Sequence, residues 1–325
     1  MTAHPDGFDS FLAATDWAGA DIAPLPGDAS FRRYFRLARA DGSSAMLMHA
    51  PPPHEDPRPF LSVAHWLESG GLRAPHIIAE DAGSGWVLLE DFGDWRLREW
   101  LDEHPGDEFR LYEAAVDTLA RLHRLPPGPF EAYDLKEYQR EAGLFTEWYC
   151  PGAGLAVDER GWRDAWDVVL APVLARQTPG VVVLKDYHAE NIMLPSDGSQ
   201  GLIDFQDALI GHPAYDLVSL LQDARRDVSP TLEQTMLARY LAAAGHPDEF
   251  EADYARLGAQ RNAKIVGVFT RLARRDGKAR YLELIPRVWG LLERDLAHPA
   301  LKPVAEWFDR NIPPAIRSAA GGRIG

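Results

Sequence analysis

The 325-residue sequence predicts an α+β fold in two lobes, a small β-rich one followed by a larger, mostly helical one. Three observations predict it. Between residues 31 and 90 the chain carries short alternating or β-branched runs separated by turn residues. From residue 107 onward, apolar residues recur at i, i+3 and i+4 over long stretches. The length exceeds one average domain and suits a two-lobed enzyme.

The elements follow in order. Helical apolar spacing covers 8–17, and aromatic-rich alternation makes 31–37 a strand. Asp41-Gly42 turns the chain into a partner strand over 45–49. In a strand Arg32 and Arg33 point to opposite faces, with Arg32 sharing one with Ser30, Tyr34 and Arg36. A helix over 58–69 ends at Gly70-Gly71, and strands follow near 77–78 and at 86–90. The small lobe is expected to span 1–92 and the helical lobe 93–325. Helices are expected over 107–123, ending before Pro126-Pro127, then over 134–149 and 158–176. Further helices are expected over 213–223, 230–244, 248–275, 278–294 and 301–311, with a disordered tail over 318–325.

Composition narrows the class. Apolar residues make up 46% and charged residues 26%, as in a globular protein with an ample core. A net charge of -15 argues against a nucleic-acid partner, whose phosphates need basic patches. One cysteine, Cys150, excludes an internal disulfide and a cysteine-based zinc site and fits a reducing cytoplasm. No basic-then-apolar leader and no long apolar run is present, so a cytoplasmic protein without a membrane partner is expected, as a monomer.

Chemistry concentrates in one stretch. Val181-Val-Val183 reads as a short buried strand that delivers Asp186, and Asn191 follows five positions later. Apolar 192–194, the turn-rich 195–200 and Leu202-Ile203 then read as a hairpin ending on Asp204. With the turn centred between Asp197 and Gly198, Asn191 lies directly across from Asp204, ~4.5–5.5 Å away at Cα. An amide oxygen and a carboxylate that close, with another carboxylate at the hairpin's entrance, make a hard-oxygen site suited to Mg²⁺ and phosphate oxygens. Taken singly, Asp186 and Asp197 also read as turn residues and Asp204 as a helix cap.

The series Asp186-Tyr-His-Ala-Glu-Asn191, hairpin, Ile203-Asp-Phe205 resembles the catalytic loop and metal-binding Asp of the protein-kinase-like fold. It is most similar to the aminoglycoside phosphotransferase-like small-molecule kinases, whose Gly-x-Pro-x-x-Asp-Leu segment is matched by Gly211-His-Pro-Ala-Tyr-Asp-Leu217. The resemblance implies a bilobal kinase fold using ATP and Mg²⁺. Asp186 is then the catalytic residue that accepts or orients the hydroxyl proton. Asn191 and Asp204 hold the metal, and Asp216 braces the loop. Residues 27–30 cover the phosphates with the Ser30 hydroxyl as a donor. The backbone of Glu90 and Phe92 meets the adenine edge, with Leu88 as a wall. Glu147, Trp148 and His188 lie on the acceptor side, where a carboxylate beside aromatic rings suits a hexose. His123 matches a core histidine.

Two departures stand out. Leu184-Lys185 replaces the usual His-Arg or His-Gly, which leaves Lys185 to pair with Asp186 or to reach a phosphate. The strand 45–49 lacks the usual phosphate-gripping lysine, and no lysine precedes Lys136. Arg32 is the expected substitute, because guanidinium binds phosphate in a bidentate manner.

Gly27-Asp-Ala-Ser-Phe-Arg-Arg-Tyr-Phe-Arg36 and the Pro-rich Ala50-Pro-Pro-Pro-His-Glu-Asp-Pro-Arg-Pro-Phe60 resemble the anomeric kinases of N-acetylmuramate and N-acetylglucosamine in cell-wall recycling, which also lack that lysine. The implied partners are an amino sugar and a nucleotide. Two alternatives stay open: a kinase for another small alcohol or an aminoglycoside, and a nucleotide-binding relative without turnover. The intact Asp186, Asn191 and Asp204 weigh against the second.

Overall fold

A computed structural model describes residues 5–26, 31–245 and 249–324. The chain divides into two units, Met1–Pro105 with Glu190–Asp207, and Gly106–Ala189 with Ala208–Gly325. The division therefore falls after Pro105 rather than at 92/93. The hairpin expected with the helical lobe belongs to the β-rich unit.

The first unit is built on an antiparallel sheet in the order β1-β2-β3-β5-β4, comprising Asp21–Pro24 (β1), Arg33–Ala38 (β2), Ser44–His49 (β3), Ile77–Asp81 (β4) and Trp86–Glu90 (β5). β1 is too short and too close to Pro24 to show a period in the sequence. Alternation along β2 puts Phe35 and Leu37 into a core with Leu47, Trp86 and Leu88, closed by Phe8 and Leu12 of α1 (Phe8–Ala13). Phe8 meets Phe35 edge-on at 5.1 Å, a favoured aromatic geometry. Helix α2 (Arg58–Ser69) has the expected bounds, and α3 (Leu97–Glu103) is an addition.

Local contacts explain why the hairpin joins this unit. The Leu202 N–H donates to the Arg73 carbonyl at 2.8 Å, and the Leu194 N–H to the Trp95 carbonyl at 2.8 Å. Phe205 stacks on Phe60 of α2 with ring centres 5.0 Å apart. Any side chain at position 201 meets the Phe92 ring, since a Cβ there falls 2.4 Å from it, so glycine is required.

The second unit is helical. Its centre is the long helix Phe250–Asp276, which contacts α5 (Leu135–Leu144) and the helices Glu159–Arg176, Ala214–Leu221 and Ile285–Leu296. Gly267 permits the closest approach, because a Cβ there lies 2.3 Å from the Leu144 backbone. Helix α4 (Glu108–Leu122) packs on Pro230–Ala244. The strand Val181–Val183 pairs antiparallel with Leu209–Gly211, a partner too short to read from sequence.

Several expectations change here: the helix over 8–17 ends at Ala13, and the one over 278–294 opens as a 3-10 helix, Ala279–Leu284, before Ile285–Leu296. The helix over 134–149 ends at Leu144, and a wider π turn, Phe145–Tyr149, follows. The described part of the tail, to residue 324, is ordered: Pro314–Ser318 is helical, Gly321 is buried, and the Tyr149 hydroxyl donates to its carbonyl at 2.7 Å. Buried aromatic surface on Trp289 and Tyr149 holds the glycine-rich segment that composition alone marks as loose. Among the described residues no helix is long and apolar enough to cross a membrane.

Cys150 is fully buried, and burial, helped by Glu159, pushes its thiol up to about 12. The native protein is therefore expected to leave Cys150 unlabelled by a thiol-disulfide reagent at pH 8, and the urea-unfolded chain to react fully.

Candidate functional site

In the first unit the hairpin register pairs Ile192 with Leu202 and Met193 with Gly201. Asn191 therefore lies opposite Ile203, whose N–H donates to the Asn191 carbonyl at 3.1 Å, and not opposite Asp204. The turn is centred on Asp197 itself rather than between Asp197 and Gly198, which shifts the pairing by one residue. Its Asp197 accepts from the Ser199 N–H and hydroxyl, and Gly198 takes a positive φ of 79°. Asp204 nonetheless reaches Asn191. Its own backbone is left-handed, φ 59°, which is uncommon for a non-glycine residue and marks a local cost. That twist leaves its carboxylate 3.3 Å from the Asn191 amide nitrogen. Its other oxygen accepts from Gln206 at 2.9 Å.

No cluster of three His, Cys, Asp or Glu side chains able to hold a metal occurs among the described residues. Asn191 and Asp204 supply only part of an octahedral shell. That fits Mg²⁺, which keeps waters and phosphate oxygens, better than an ion held by protein alone.

Around this pair the first unit carries arginines and no lysine. Arg32 lies just before β2, bonded to Tyr34 and 3.4 Å from the Glu55 carboxylate. Burial pushes the Tyr34 phenol up, Arg32 opposes the shift and Asp204 adds to it, so Arg32, Tyr34 and Asp204 lie within electrostatic reach of one another. Ser30 lies outside the described residues.

The segment after β5 is tightly braced. Arg36 bonds Asp94 at 2.5 Å, Asp91 at 2.8 Å and the Gly93 carbonyl at 3.1 Å. The Glu90 carboxylate takes a bidentate pair from Arg73, at 2.5 and 2.7 Å. The Glu90 N–H already donates to the His76 carbonyl, so of its two backbone groups the donor is used within the sheet. Phe92 is buried, with Arg73 over its ring at 4.9 Å. Leu88 is also buried, in the core on the α1 side of the sheet, which removes it as an adenine wall. The Arg36 clamp is not legible in the sequence, because it joins residues 55 to 58 positions apart.

In the second unit, Val181–Val183 delivers the loop that holds Asp186. The Asp216 carboxylate accepts the Leu184 N–H at 2.6 Å and the Lys185 N–H at 2.9 Å, which is the bracing expected of it. Complete burial pushes the Asp216 carboxyl up to about 7 despite those two donors. Lys185 takes φ 69°, and its ammonium turns to Glu141, 2.8 Å away, rather than to Asp186.

Glu141 is the hub the sequence hides. It is 2% exposed and bonds Lys185, Lys264 at 2.9 Å, and the Tyr133 hydroxyl. Burial alone raises a carboxyl, but Lys264 and Lys185 outweigh it and hold Glu141 at about 2. Its only sequence trace is a polar residue on an otherwise apolar helix face, a trace shared by Arg261 and Lys264.

Asp186 itself is 44% exposed at the side chain, with Arg261 3.9 Å from its carboxylate. Desolvation raises its carboxyl, yet Lys264, His188, Arg261 and Arg225 together bring it below the ordinary value. It stands ionised at neutral pH, ready to accept a proton or orient a hydroxyl. His188 is buried, its Nε2 3.4 Å from Arg225. Glu147 is exposed and lines an open groove of about 830 Å³ with Lys136, Arg140, Trp162 and Arg163. Neither Asp186 nor His188 lines that groove. Trp148 is half-buried on the same π turn, whereas Tyr149 faces the core.

The Phosphotransferase enzyme family profile matches residues 21–259. The chain is 37% identical to the N-acetylmuramate/N-acetylglucosamine kinase of Caulobacter vibrioides, over 95% of this chain and 96% of that one. Its fold is similar to a choline/ethanolamine kinase family protein from Mesorhizobium loti, with TM-score 0.61, 15% identity, and 94% and 99% of the two chains covered. It is also similar to the aminoglycoside phosphotransferase APH(3'')-Id from Streptomyces rimosus, solved with ADP and streptomycin, with TM-score 0.55, 20% identity, and 80% and 99% covered. The protein-kinase-like α+β fold read from the sequence is thus shown, and the chain belongs to the phosphotransferase enzyme family.

Proposed function

We propose that the protein is an ATP- and Mg²⁺-dependent sugar kinase that phosphorylates the anomeric hydroxyl of N-acetylmuramate and N-acetylglucosamine. One geometric observation carries the kinase reading: Asp204, on a left-handed residue, turns its carboxylate to within 3.3 Å of the Asn191 amide at the mouth of a short hairpin. The Caulobacter relative's name, over nearly the full length of both chains, supports the choice of sugar.

In this reading the cation, when bound, neutralises charge on the phosphates. Asn191 and Asp204 hold it. Arg32 is the first unit's phosphate contact in place of a lysine, the Ser30 hydroxyl is assigned as a second donor on the sequence alone, and the backbone around Glu90 and Phe92 receives the base. Asp186 orients the acceptor hydroxyl and takes its proton as the new O–P bond forms, the bond between the γ-phosphorus and its bridging oxygen breaks, and ADP leaves with that oxygen. An anomeric hydroxyl is more acidic than other sugar hydroxyls, so an ordinary ionised carboxylate suffices. His188 is assigned to the acceptor side, whereas Glu147, in a groove lined by neither Asp186 nor His188, and its neighbour Trp148 are kept only as a separate candidate contact for the sugar. The work is cytoplasmic, where nucleotide and recycled sugar are both available, and the protein acts as a monomer in this reading.

The test is the product of N-acetylglucosamine and ATP. NMR is expected to show phosphorus coupling at the anomeric proton, with no product after chelation by EDTA. Coupling at any other position removes the anomeric assignment.

A further inference from the structure

Next to Asp186 the second unit gathers two arginines and a histidine, with Asp223 as a further carboxylate. Arg261 lies 3.9 Å from the Asp186 carboxylate and is 3% exposed. Its Nη1 is buried with no hydrogen-bond partner among the described residues. His188, two residues beyond Asp186, is 4% exposed, and its Nδ1 is likewise buried without a partner among the described residues. The Nε2 of the same ring lies 3.4 Å from Arg225, a partly exposed arginine. One carboxylate locks these pieces together: Asp223 accepts the Arg225 N–H at 2.8 Å and the Ala189 N–H at 3.2 Å. Arg225 is therefore fixed to the loop that carries Asp186 and His188. In a chain of net charge -15, such a concentration of cations is a local feature.

The two sugars of the proposed reaction differ in one respect that this cluster can sense. N-acetylmuramate carries a lactyl ether ending in a carboxylate, and N-acetylglucosamine does not. Bringing that anion beside an ionised Asp186 repels unless a cation faces it. We propose that Arg225, backed by Arg261 and His188, is the subsite for a carboxylate on the acceptor sugar. This deepens the sugar-kinase reading and rests on it. Arg225 is the group with solvent access, and guanidinium matches a carboxylate with two parallel donors. Arg261 supplies background charge already balanced in part by Asp186, so the site tolerates the sugar that lacks the anion.

The experiment compares kcat/KM for N-acetylmuramate, its methyl ester and N-acetylglucosamine. Wild-type enzyme is expected to prefer N-acetylmuramate to its ester by about tenfold or more, the size of a lost charge-assisted contact. Arg225→Gln is expected to lower the muramate-to-glucosamine ratio by about tenfold or more, and Arg225→Lys to restore part of it. Arg261→Gln is expected to move the same ratio less. Equal use of acid and ester by wild type overturns the subsite, and that measurement needs no variant to fold. Equal losses on both sugars in Arg225→Gln also overturn it, because they mark a structural or phosphate-side role. Wild-type enzyme inactive on both sugars overturns the underlying reading, and the subsite with it.

Discussion

Asp186→Asn is expected to lower kcat by ~10²-fold or more while leaving nucleotide affinity largely intact. The substitution keeps the side chain's shape and removes its negative charge. In the wild-type protein Lys264, His188, Arg261 and Arg225 hold that charge in place against desolvation. An asparagine cannot take the hydroxyl proton, and it leaves the surrounding cations without their anion. Steady-state turnover and calorimetric titration with ADP separate the two effects. Near-wild-type turnover in the variant rules Asp186 out as the proton acceptor. An equal fall in nucleotide binding moves its role to the phosphates.

Glu141→Gln is expected to destabilise the fold by about 3–5 kcal/mol, the cost of stranding buried charge. Glu141 is the common partner of Lys185 and Lys264, and neither ammonium has ready access to water. The pH dependence has a definite sign. The folded-state value, about 2, lies below the ordinary glutamate value of ~4.3. Glu141 therefore stabilises the protein fully above that ordinary value and loses its effect as the pH falls towards 2. Urea unfolding of wild type and variant is expected to show the full difference at pH 7 and a shrinking one from about pH 5 downward. A difference that stays constant with pH assigns the loss to packing rather than charge.

The contrast between these two residues shows how far the sequence carries. Asp186 was legible because its neighbours are fixed by a short, ordered stretch: a strand, a five-residue offset and a hairpin. Asn191 and Asp204 were legible as a pair for the same reason, although the register missed by one residue. What corrected that miss was a single left-handed residue, a backbone choice with no compositional mark outside glycine. Glu141, Lys264 and Arg261 were opaque as site residues. Each comes from a helix far along the chain from Asp186, and only tertiary packing brings them to it. The tail is opaque for a related reason: its small residues fit against Trp289 and Tyr149, and smallness reads as disorder when the partner is out of sight. The interior of Phe250–Asp276 carries charged and amide side chains that look solvated in sequence, yet many are buried against partners.

The β-rich unit is discontinuous along the polypeptide, and that bears on how it is made. Residues 1–105 leave the ribosome without the hairpin that covers Phe60 and Phe92 and caps the Arg73 and Trp95 carbonyls. Those surfaces stay uncovered until residue 207 has been synthesised, so this unit cannot finish ahead of the chain that follows it. A fragment cut at Pro105 is accordingly the wrong piece to express, and a circular permutant that carries residues 190–207 alongside it is the right one.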